Sequence, residues 1–263
     1  MPLATWTAAL LLVGALADSA PPPASTPAAP AGAQAAVPVP VKDARALALL
    51  RKMSDRLQHA RSFSFRARTT REVLVDNGVQ ATVFNDVRAA IQRPDKVAVT
   101  RTGDLPEFRF AYDGKAMTAF APGKGFWATM AAPPTIDAMV VAASEQANLS
   151  FPADEVVVAD PYAALTKDLT HAVLVGQTTV AGHQTDHLVL ATPSIELQLW
   201  LDDKTTLPVA EAVVYADDPR KPHFFIEYRD WQLDPKLSAS TFSLPKPPGA
   251  TQVDFRAVAS AGQ

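Results

Sequence analysis

The chain has 263 residues, 48% of them hydrophobic, carries a formal charge of −3 at pH 7 and contains no cysteine. Its apolar content is sufficient for a sizeable core and excludes global disorder. The lack of cysteine excludes disulfides, thiol catalysis, thiolate metal sites and a lipid-modified N-terminal cysteine. Because nucleic-acid binding needs a concentrated basic surface, this net acidic chain predicts no nucleic-acid partner.

Residues 1–17 are predicted to be a signal peptide, so we expect the chain to be exported to the periplasm. An apolar run over residues 8–16 ends in Ala15-Leu16-Ala17, a small-x-small sequence that signal peptidase accepts. The run is too short to span a membrane comfortably. The residues before it contain no Lys or Arg, which departs from the usual signal peptide. A retained anchor and an incorrect start codon are therefore the alternatives.

Residues 18–42 are rich in Pro, Ala and small polar residues, a composition that favours extended polyproline II and predicts a linker. Residues 43–256 are expected to form one β domain, and residues 257–263 a flexible tail. Charge is uneven: residues 42–109 carry fourteen Lys or Arg against eight Asp or Glu, whereas residues 150–218 carry two against eleven. This fits either a solvated surface whose halves differ or a polarised face that orients a charged partner.

The domain is predicted to open with a helix from Asp43 to about His59, because apolar residues recur at helical spacing after a capping aspartate. From Ser62 the apolar period changes to two, which predicts a strand up to a turn at residues 76–78 and a return strand ending near Ile91. The alternation continues in three further predicted strand regions, residues 97–99, 108–112 and 117–130.

Residues 135–148 interrupt the strand pattern with a predicted helix whose apolar residues fall on one stripe. Asp160-Pro161 predicts a short helix to about Leu169, with the aspartate as its cap and the proline in its first turn. The rest of the domain is predicted as five strands at regular spacing, residues 172–180, 187–191, 195–201, 209–216 and 224–231.

Strands joined by such short turns must pair antiparallel. About ten of them in succession cannot remain flat without curling or closing. We therefore predict a mainly β (α+β) fold, in which a strongly curved antiparallel sheet or unclosed β-barrel has helices covering its concave face.

Three C-terminal segments together contain a Gly turn, paired strands, an acidic turn running into Leu-Pro, and a closing Phe after Pro-x-Gly. They are VAGHQTDHLVLAT (residues 180–192), IELQLWLDDKTTLPV (195–209) and EYRDWQLDPKLSASTFSLPKPPGATQVDF (227–255). This pattern resembles the LolA-like superfamily of periplasmic lipoprotein carriers, and within it an uncharacterised family of predicted periplasmic proteins. The resemblance implies an unclosed LolA-like barrel whose mouth is covered by helices and whose apolar cavity takes the acyl chains of lipids or lipoproteins.

Catalytic and metal-binding motifs are lacking. The sequence has no Gly-x-Ser-x-Gly elbow, phosphate loop, His-Glu-x-x-His or dinucleotide fingerprint. His183 and His187 straddle a predicted turn and strand, which favours hairpin histidines over a metal site. The adjacent Asp202 and Asp203 favour a turn over a carboxylate pair. We therefore expect no enzymatic activity, no metal and no cofactor.

Aromatic and aliphatic side chains on the predicted strands and helix are the candidate ligand-binding residues. Leaving half a dozen of them exposed would cost ~9–18 kcal/mol, as much as the ~5–15 kcal/mol of net stability of a typical domain. They must therefore be covered, either by filling a core under the helices or by lining a partly open ligand cavity. The candidate set is Phe63, Phe65, Phe108, Phe110, Tyr112, Ile136, Met139, Val140, Leu197 and Leu199.

The leading hypothesis is a periplasmic, non-catalytic binding or carrier protein for a hydrophobic ligand: an acyl chain, a lipid or a lipoprotein. The helix over residues 135–148 would be its lid, and delivery would involve transient contact with a membrane. The alternative is a regulatory or envelope-assembly domain that docks on another envelope protein through a charge-polarised surface. A hydrolase using scattered Asp and His groups is the third hypothesis.

Overall fold

The computed structural model describes residues 41–151 and 153–262. The predicted signal peptide, and the predicted linker as far as residue 40, lie outside the described residues. Within the described part of the chain, twelve strands form a single sheet, and four α-helices share one hydrophobic core with it. None of these helices is long and apolar enough to cross a membrane.

The secondary structure follows the predicted order closely. The helices are α1 (Ala44–His59), α2 (Ile136–Ala147), α3 (Pro161–Thr166) and α4 (Phe255–Ala261). The first six strands are β1 (Ser62–Leu74), β2 (Gln80–Gln92), β3 (Lys96–Gly103), β4 (Phe108–Tyr112), β5 (Ala116–Ala121) and β6 (Phe126–Ala131). The last six strands are β7 (His171–Val180), β8 (His183–Ala191), β9 (Ile195–Asp202), β10 (Pro208–Tyr215), β11 (His223–Leu233) and β12 (Thr251–Gln252).

The sheet is unclosed, with β12 at one edge and β7 at the other. The strand order is β12-β6-β5-β4-β3-β2-β1-β11-β10-β9-β8-β7. Neighbouring strands pair antiparallel, apart from the two-residue strand β12, which pairs parallel with β6. The predicted fold class, a mainly β protein built on a curved antiparallel sheet with helices, is confirmed.

The alternating pattern of β1 decides which side chains reach the core. Phe63, Phe65 and Ala67 are buried, whereas Arg66 and Arg68 between them are exposed. This follows from the period of two, since successive side chains of a strand point to opposite faces of the sheet. β1 pairs with β2 along its whole length and with β11 on its other side, so this inward row continues across the middle of the sheet.

The helices bury their apolar stripes against this inward face. α1 is capped by Asp43, whose side chain accepts a hydrogen bond from the Arg45 backbone N–H at 2.8 Å. α2 is capped by the Thr135 hydroxyl, which accepts from the Ala138 N–H at 3.3 Å. Capping of this kind satisfies N–H groups that have no partner within the helix. The buried helix residues in the core are Ala46, Leu50, Met53, Leu57, Ile136, Met139, Ala142, Ala143 and Ala147.

The predicted flexible tail, residues 257–263, is wrong, because residues 257–261 form most of α4. The carboxylate of Asp254 caps the helix by accepting from the Arg256 N–H at 2.9 Å. Phe255, Val258 and Ala259 then recur at helical spacing and are buried beside β5 and β6. A segment of seven residues, most of its apolar positions alanine, is too short to predict a helix by periodicity alone.

The predicted end of the linker at residue 42 is also wrong. The backbone N–H of Asp43 donates to the Ala172 carbonyl at 2.8 Å, and the Ala172 N–H donates to the Val41 carbonyl at 2.8 Å. Val41 and Lys42 therefore pair with the start of β7, which anchors the chain just before α1.

Strands β2 and β3 approach each other closely at Gly103, which has a φ of +140°. A Cβ at this position would lie 2.4 Å from the Phe84 carbonyl oxygen and 2.7 Å from the Asn85 Cα. The next two residues fix the turn, because the Asp104 N–H donates to the Phe84 carbonyl at 2.9 Å and the Leu105 N–H donates to the Asn85 side chain at 3.1 Å. Only glycine fits here without moving the backbone.

Gly103→Ala is therefore expected to lower the free energy of unfolding by about 2–4 kcal/mol, through backbone clash and a strained φ. Chemical denaturation of the purified domain measures this change. Gly123→Ala is the matched control, since nothing lies within 4 Å of a Cβ built there. Equal stabilities of the two variants would contradict the close approach.

Candidate ligand-binding cavity

A cavity of about 470 Å³ lies between the inward face of the sheet and the elements that cover it. Strands β1, β2, β3 and β11 line one side, while α2, α4 and the chain just after α2 line the other. Part of this lining is a continuous apolar row on the strands, consisting of Val87, Ala89, Ile91, Val97, Val99, Phe224 and Ile226.

The candidate residues divide between this cavity and the filled core. Those that line the cavity are Phe65, Phe108, Met139 and Val140. Those that are buried without lining it are Phe63, Phe110, Tyr112, Ile136, Leu197 and Leu199. One core therefore contains both arrangements that the sequence allowed: a filled part and a part with an open cavity.

Phe110 lies one layer behind the cavity. Its ring meets that of Phe151 edge-on, with centroids 4.9 Å apart, and Phe151 itself lines the cavity. Phe65 similarly contacts Tyr228, whose ring centroid is 5.3 Å away and which is also part of the lining. Edge-to-face aromatic pairs of this kind hold ring positions firmly. The cavity wall is therefore supported from behind by packed rings.

Two arginines bring positive charge to the cavity. Arg71 of β1 and Arg101 of β3 both line it and are partly buried. Burial lowers the pKa of Arg101 to about 10, and the nearby Arg71 cation acts in the same direction. Burial also lowers the pKa of Arg71. The candidate set contains neither residue.

The environment of Arg101 satisfies only part of its guanidinium. Its Nη2 donates to the Pro106 carbonyl at 2.9 Å and to the Gly262 carbonyl at the end of α4. The cation lies over the Phe108 ring, 5.8 Å from the centroid. Its Nε–H is shielded from solvent and has no acceptor among the described residues. Arg101 thus connects the sheet to α4 while retaining a buried donor.

A pair of buried carboxyl groups lies near residues that line the cavity. Glu211 of β10 is fully buried, and its Oε2 accepts from the Tyr228 hydroxyl at 3.2 Å. Burial raises the pKa of Glu211 well above its usual range, and the neighbouring Glu155 raises it further. Glu155 is buried as well, which raises its own pKa. Ionisation of Glu211 is therefore disfavoured both by burial and by its carboxyl neighbour.

The residues beside this pair reach the cavity. Asp154 lines the cavity, and burial together with Glu155 raises its pKa to about 6. Tyr215 stands between the two sets of charges: burial and the three carboxyl groups raise its pKa, while the Arg71 cation opposes them. The cavity lining therefore carries two cations from β1 and β3 and one carboxyl group, Asp154, which is close to the buried glutamates.

His183 and His187 each contact another side chain. His183 lies within β8, not in a turn as predicted, and its Nδ1 is 2.9 Å from the Asp202 carboxylate. His187 stacks on the Trp200 ring at 4.4 Å. Asp202 accepts from the Lys204 N–H at 3.1 Å, so the turn interpretation of the two aspartates is confirmed. No group of three or more metal-ligating side chains was found among the described residues.

Comparison with known proteins gives a family and a set of similar folds. The sequence matches the profile of a family described as "Predicted periplasmic protein (DUF2092)" over residues 46–256. A comparison with curated proteins gave no significant match.

Three solved structures illustrate the similarity of fold. A chain of the Pseudomonas aeruginosa MucA/MucB complex is 14% identical, with 77% of this chain and 62% of that chain covered and a TM-score of 0.43. The Mycobacterium tuberculosis lipoprotein LppX is 14% identical, with 75% and 99% covered and a TM-score of 0.42. A LolA superfamily protein from Nitrosomonas europaea is 13% identical, with 76% and 97% covered and a TM-score of 0.35. The chain thus spans less than two thirds of the first of these.

Glu211→Gln is expected to remove a pH dependence of stability. Because the folded state raises the pKa of Glu211 above 4.5, it binds this proton more tightly than the unfolded chain does. The free energy of unfolding of the wild type therefore falls as pH rises from about 4.5 towards the raised pKa, by about 1.4 kcal/mol per pKa unit. The glutamine variant should become the more stable protein at neutral pH.

Denaturation of both proteins between pH 4 and pH 8 measures this difference, with Glu196→Gln on the exposed part of β9 as the control. A stability difference between Glu211→Gln and wild type that stays constant across this range would show that Glu211 does not hold a proton in the folded state.

Proposed function

Because the chain belongs to the DUF2092 family of predicted periplasmic proteins, we propose that it acts in the periplasm as a non-catalytic binding or carrier protein for an acyl-chain ligand. The observation that supports this most is the cavity of about 470 Å³ with an apolar floor on the sheet. Export through the N-terminal segment, residues 1–17, is part of the proposal.

The size of the cavity fits this role. Small-molecule sites usually measure about 300–1,000 Å³ and are lined mainly by apolar side chains. Each buried methylene contributes about 0.8 kcal/mol, so ten of them give about 8 kcal/mol before ordering costs. Without such costs this corresponds to a dissociation constant of about 1 μM. Burial of an acyl chain therefore supplies a large favourable contribution against these ordering costs, with no covalent chemistry or cofactor.

Helix α2 is the element that we expect to admit the ligand. Met139 and Val140 line the cavity, while the neighbouring Val141 is 54% exposed on the outer side. The helix ends at Asn148, which adopts the left-handed conformation with a φ of 51°. A short helix with one face on the cavity can move without disturbing the hydrogen bonds between the strands. This is the arrangement expected of a lid.

A docking role is the second candidate, and a specific surface favours it. Four large apolar side chains are exposed around the β1–β2 hairpin, namely Leu74, Val75, Val79 and Phe84. Exposed apolar groups that cluster in this way often mark a protein contact. A docking protein would not need the internal cavity, whereas a carrier can use the hairpin to meet the partner that receives its ligand.

Val140→Trp is expected to weaken binding of a fluorescent fatty-acid probe by tenfold or more, because a larger side chain would occupy the volume that the acyl chain needs. Val141→Trp is the matched control: it makes the same change one residue later on the exposed side of α2. Fluorescence titration of the purified proteins measures both affinities, and melting temperatures confirm that both are folded.

Binding of the probe by all three proteins with equal affinity would place it outside the cavity. Failure of the folded wild type to bind any acyl probe would contradict the carrier proposal and favour the docking role.

A further inference from the structure

We propose that the ligand of this cavity is an amphiphile with a single anionic headgroup, carboxylate or phosphate, which binds to the guanidinium groups of Arg71 and Arg101. The proposal rests on the proposed function, since it assigns the chemistry of one end of a ligand whose acyl chain fills the cavity. It makes Arg101 and Arg71 binding residues that select the headgroup.

The arginines occupy positions that the sheet normally gives to apolar side chains. Arg71 follows Phe63, Phe65 and Ala67 at even spacing along β1, and so it belongs to the buried row. Arg101 likewise follows Val97 and Val99 on β3, and all three line the cavity. Placing a guanidinium on such a face requires desolvation of its charge. Two such residues facing the same cavity are therefore unexpected in a purely structural core.

A structural role explains only part of the contacts of Arg101. Its Nη2 holds the carbonyls of Pro106 and Gly262, which attaches α4 to the sheet. These contacts leave the Nε–H without an acceptor in the described residues, and Arg101 forms no ion pair with a described carboxylate. A buried donor on a cation that lacks an acceptor is strongly unfavourable. A ligand oxygen would supply both an acceptor and the opposite charge.

The charges around the cavity also give the ligand one orientation. Asp154 lines the cavity close to the buried Glu155 and Glu211, so an anionic headgroup beside these carboxyl groups would be repelled. Arg71 and Arg101 line it from β1 and β3, and the Arg71 cation is near enough to lower the pKa of Arg101. A carboxylate or phosphate is therefore directed to the arginines, and its acyl chain towards the apolar residues Ile91 and Val97.

The test compares ligands that share a chain and differ in the headgroup. Hexadecanoate, hexadecyl phosphate and hexadecanol are titrated against the wild type by displacement of a fluorescent acyl probe. We expect both anions to bind about tenfold to a hundredfold more tightly than the alcohol, as charge-assisted hydrogen bonds predict. Inorganic phosphate and acetate alone should bind far more weakly, because most of the affinity comes from the chain.

Variants then assign the preference to residues. Arg101→Gln and Arg71→Gln should each reduce the advantage of the anions over the alcohol by about tenfold. Arg109→Gln is the matched control, since Arg109 is exposed on β4 and pairs with Glu107. If Arg101→Gln does not fold, the wild-type comparison and Arg71→Gln still decide the question.

These measurements distinguish failure of the headgroup assignment from failure of the carrier function. Equal affinity of the wild type for hexadecanoate and hexadecanol would overturn the headgroup assignment and leave the carrier function intact. Binding of none of the three amphiphiles would overturn both. An anion preference that survives unchanged in both folded arginine variants would also reject Arg71 and Arg101 as its source.

Discussion

Burial of one face of a single twelve-stranded sheet is the constraint on which the rest of the structure depends. Every inward position of the strands needs a partner, and the helices α1, α2 and α4 supply it by covering the same face. In part of this contact the side chains are fully buried, as Phe63 and Tyr112 are. Under α2 and α4 the side chains leave a volume unfilled, and this volume is the cavity.

The buried polar residues indicate function, because desolvating each of them costs free energy. Aliphatic residues in place of the two arginines and of the pair Glu155 and Glu211 would stabilise the core without this desolvation cost. The charge of Arg101 is partly compensated by backbone carbonyls, and Glu211 accepts a hydrogen bond from the Tyr228 hydroxyl. Arg71, Arg101 and Asp154 line the cavity and give it charges of both signs, which a purely apolar pocket would lack. Shape alone would accept any acyl chain, and these charges distinguish one headgroup from another.

The elements were predictable from sequence because their apolar periods are long and regular. α1 shows its period over most of its sixteen residues and β1 alternates from Phe63 to Ala67, and both begin within a residue of the predicted position. α4 was missed because only Phe255, Val258 and Ala259 carry its pattern. Arg71 was overlooked for a different reason: it lies in the inward row of β1 beyond Ala67, where the apolar alternation is interrupted, and its chemistry suggests a surface position.

The carboxyl pair could not be predicted from the sequence. Glu155 and Glu211 are far apart along the chain, and only the fold brings a turn after α2 against β10. Among the candidate residues, Leu197 and Leu199 were placed on the correct face of β9, but they pack into the core away from the cavity. Periodicity reveals which face of a strand is buried, but the position of an unfilled volume depends on packing between distant elements.

The central claim is that this cavity holds an acyl amphiphile with an anionic headgroup in the cell envelope. Its most direct test is mass spectrometry of the organic extract of the protein purified, without detergent, from its native envelope. We expect this extract to contain a near-stoichiometric amount of lipid or fatty acid bearing one carboxylate or phosphate, which the extract of the Val140→Trp protein should lack. An extract without lipid above the level of that variant, or one dominated by neutral or cationic lipids, would contradict it.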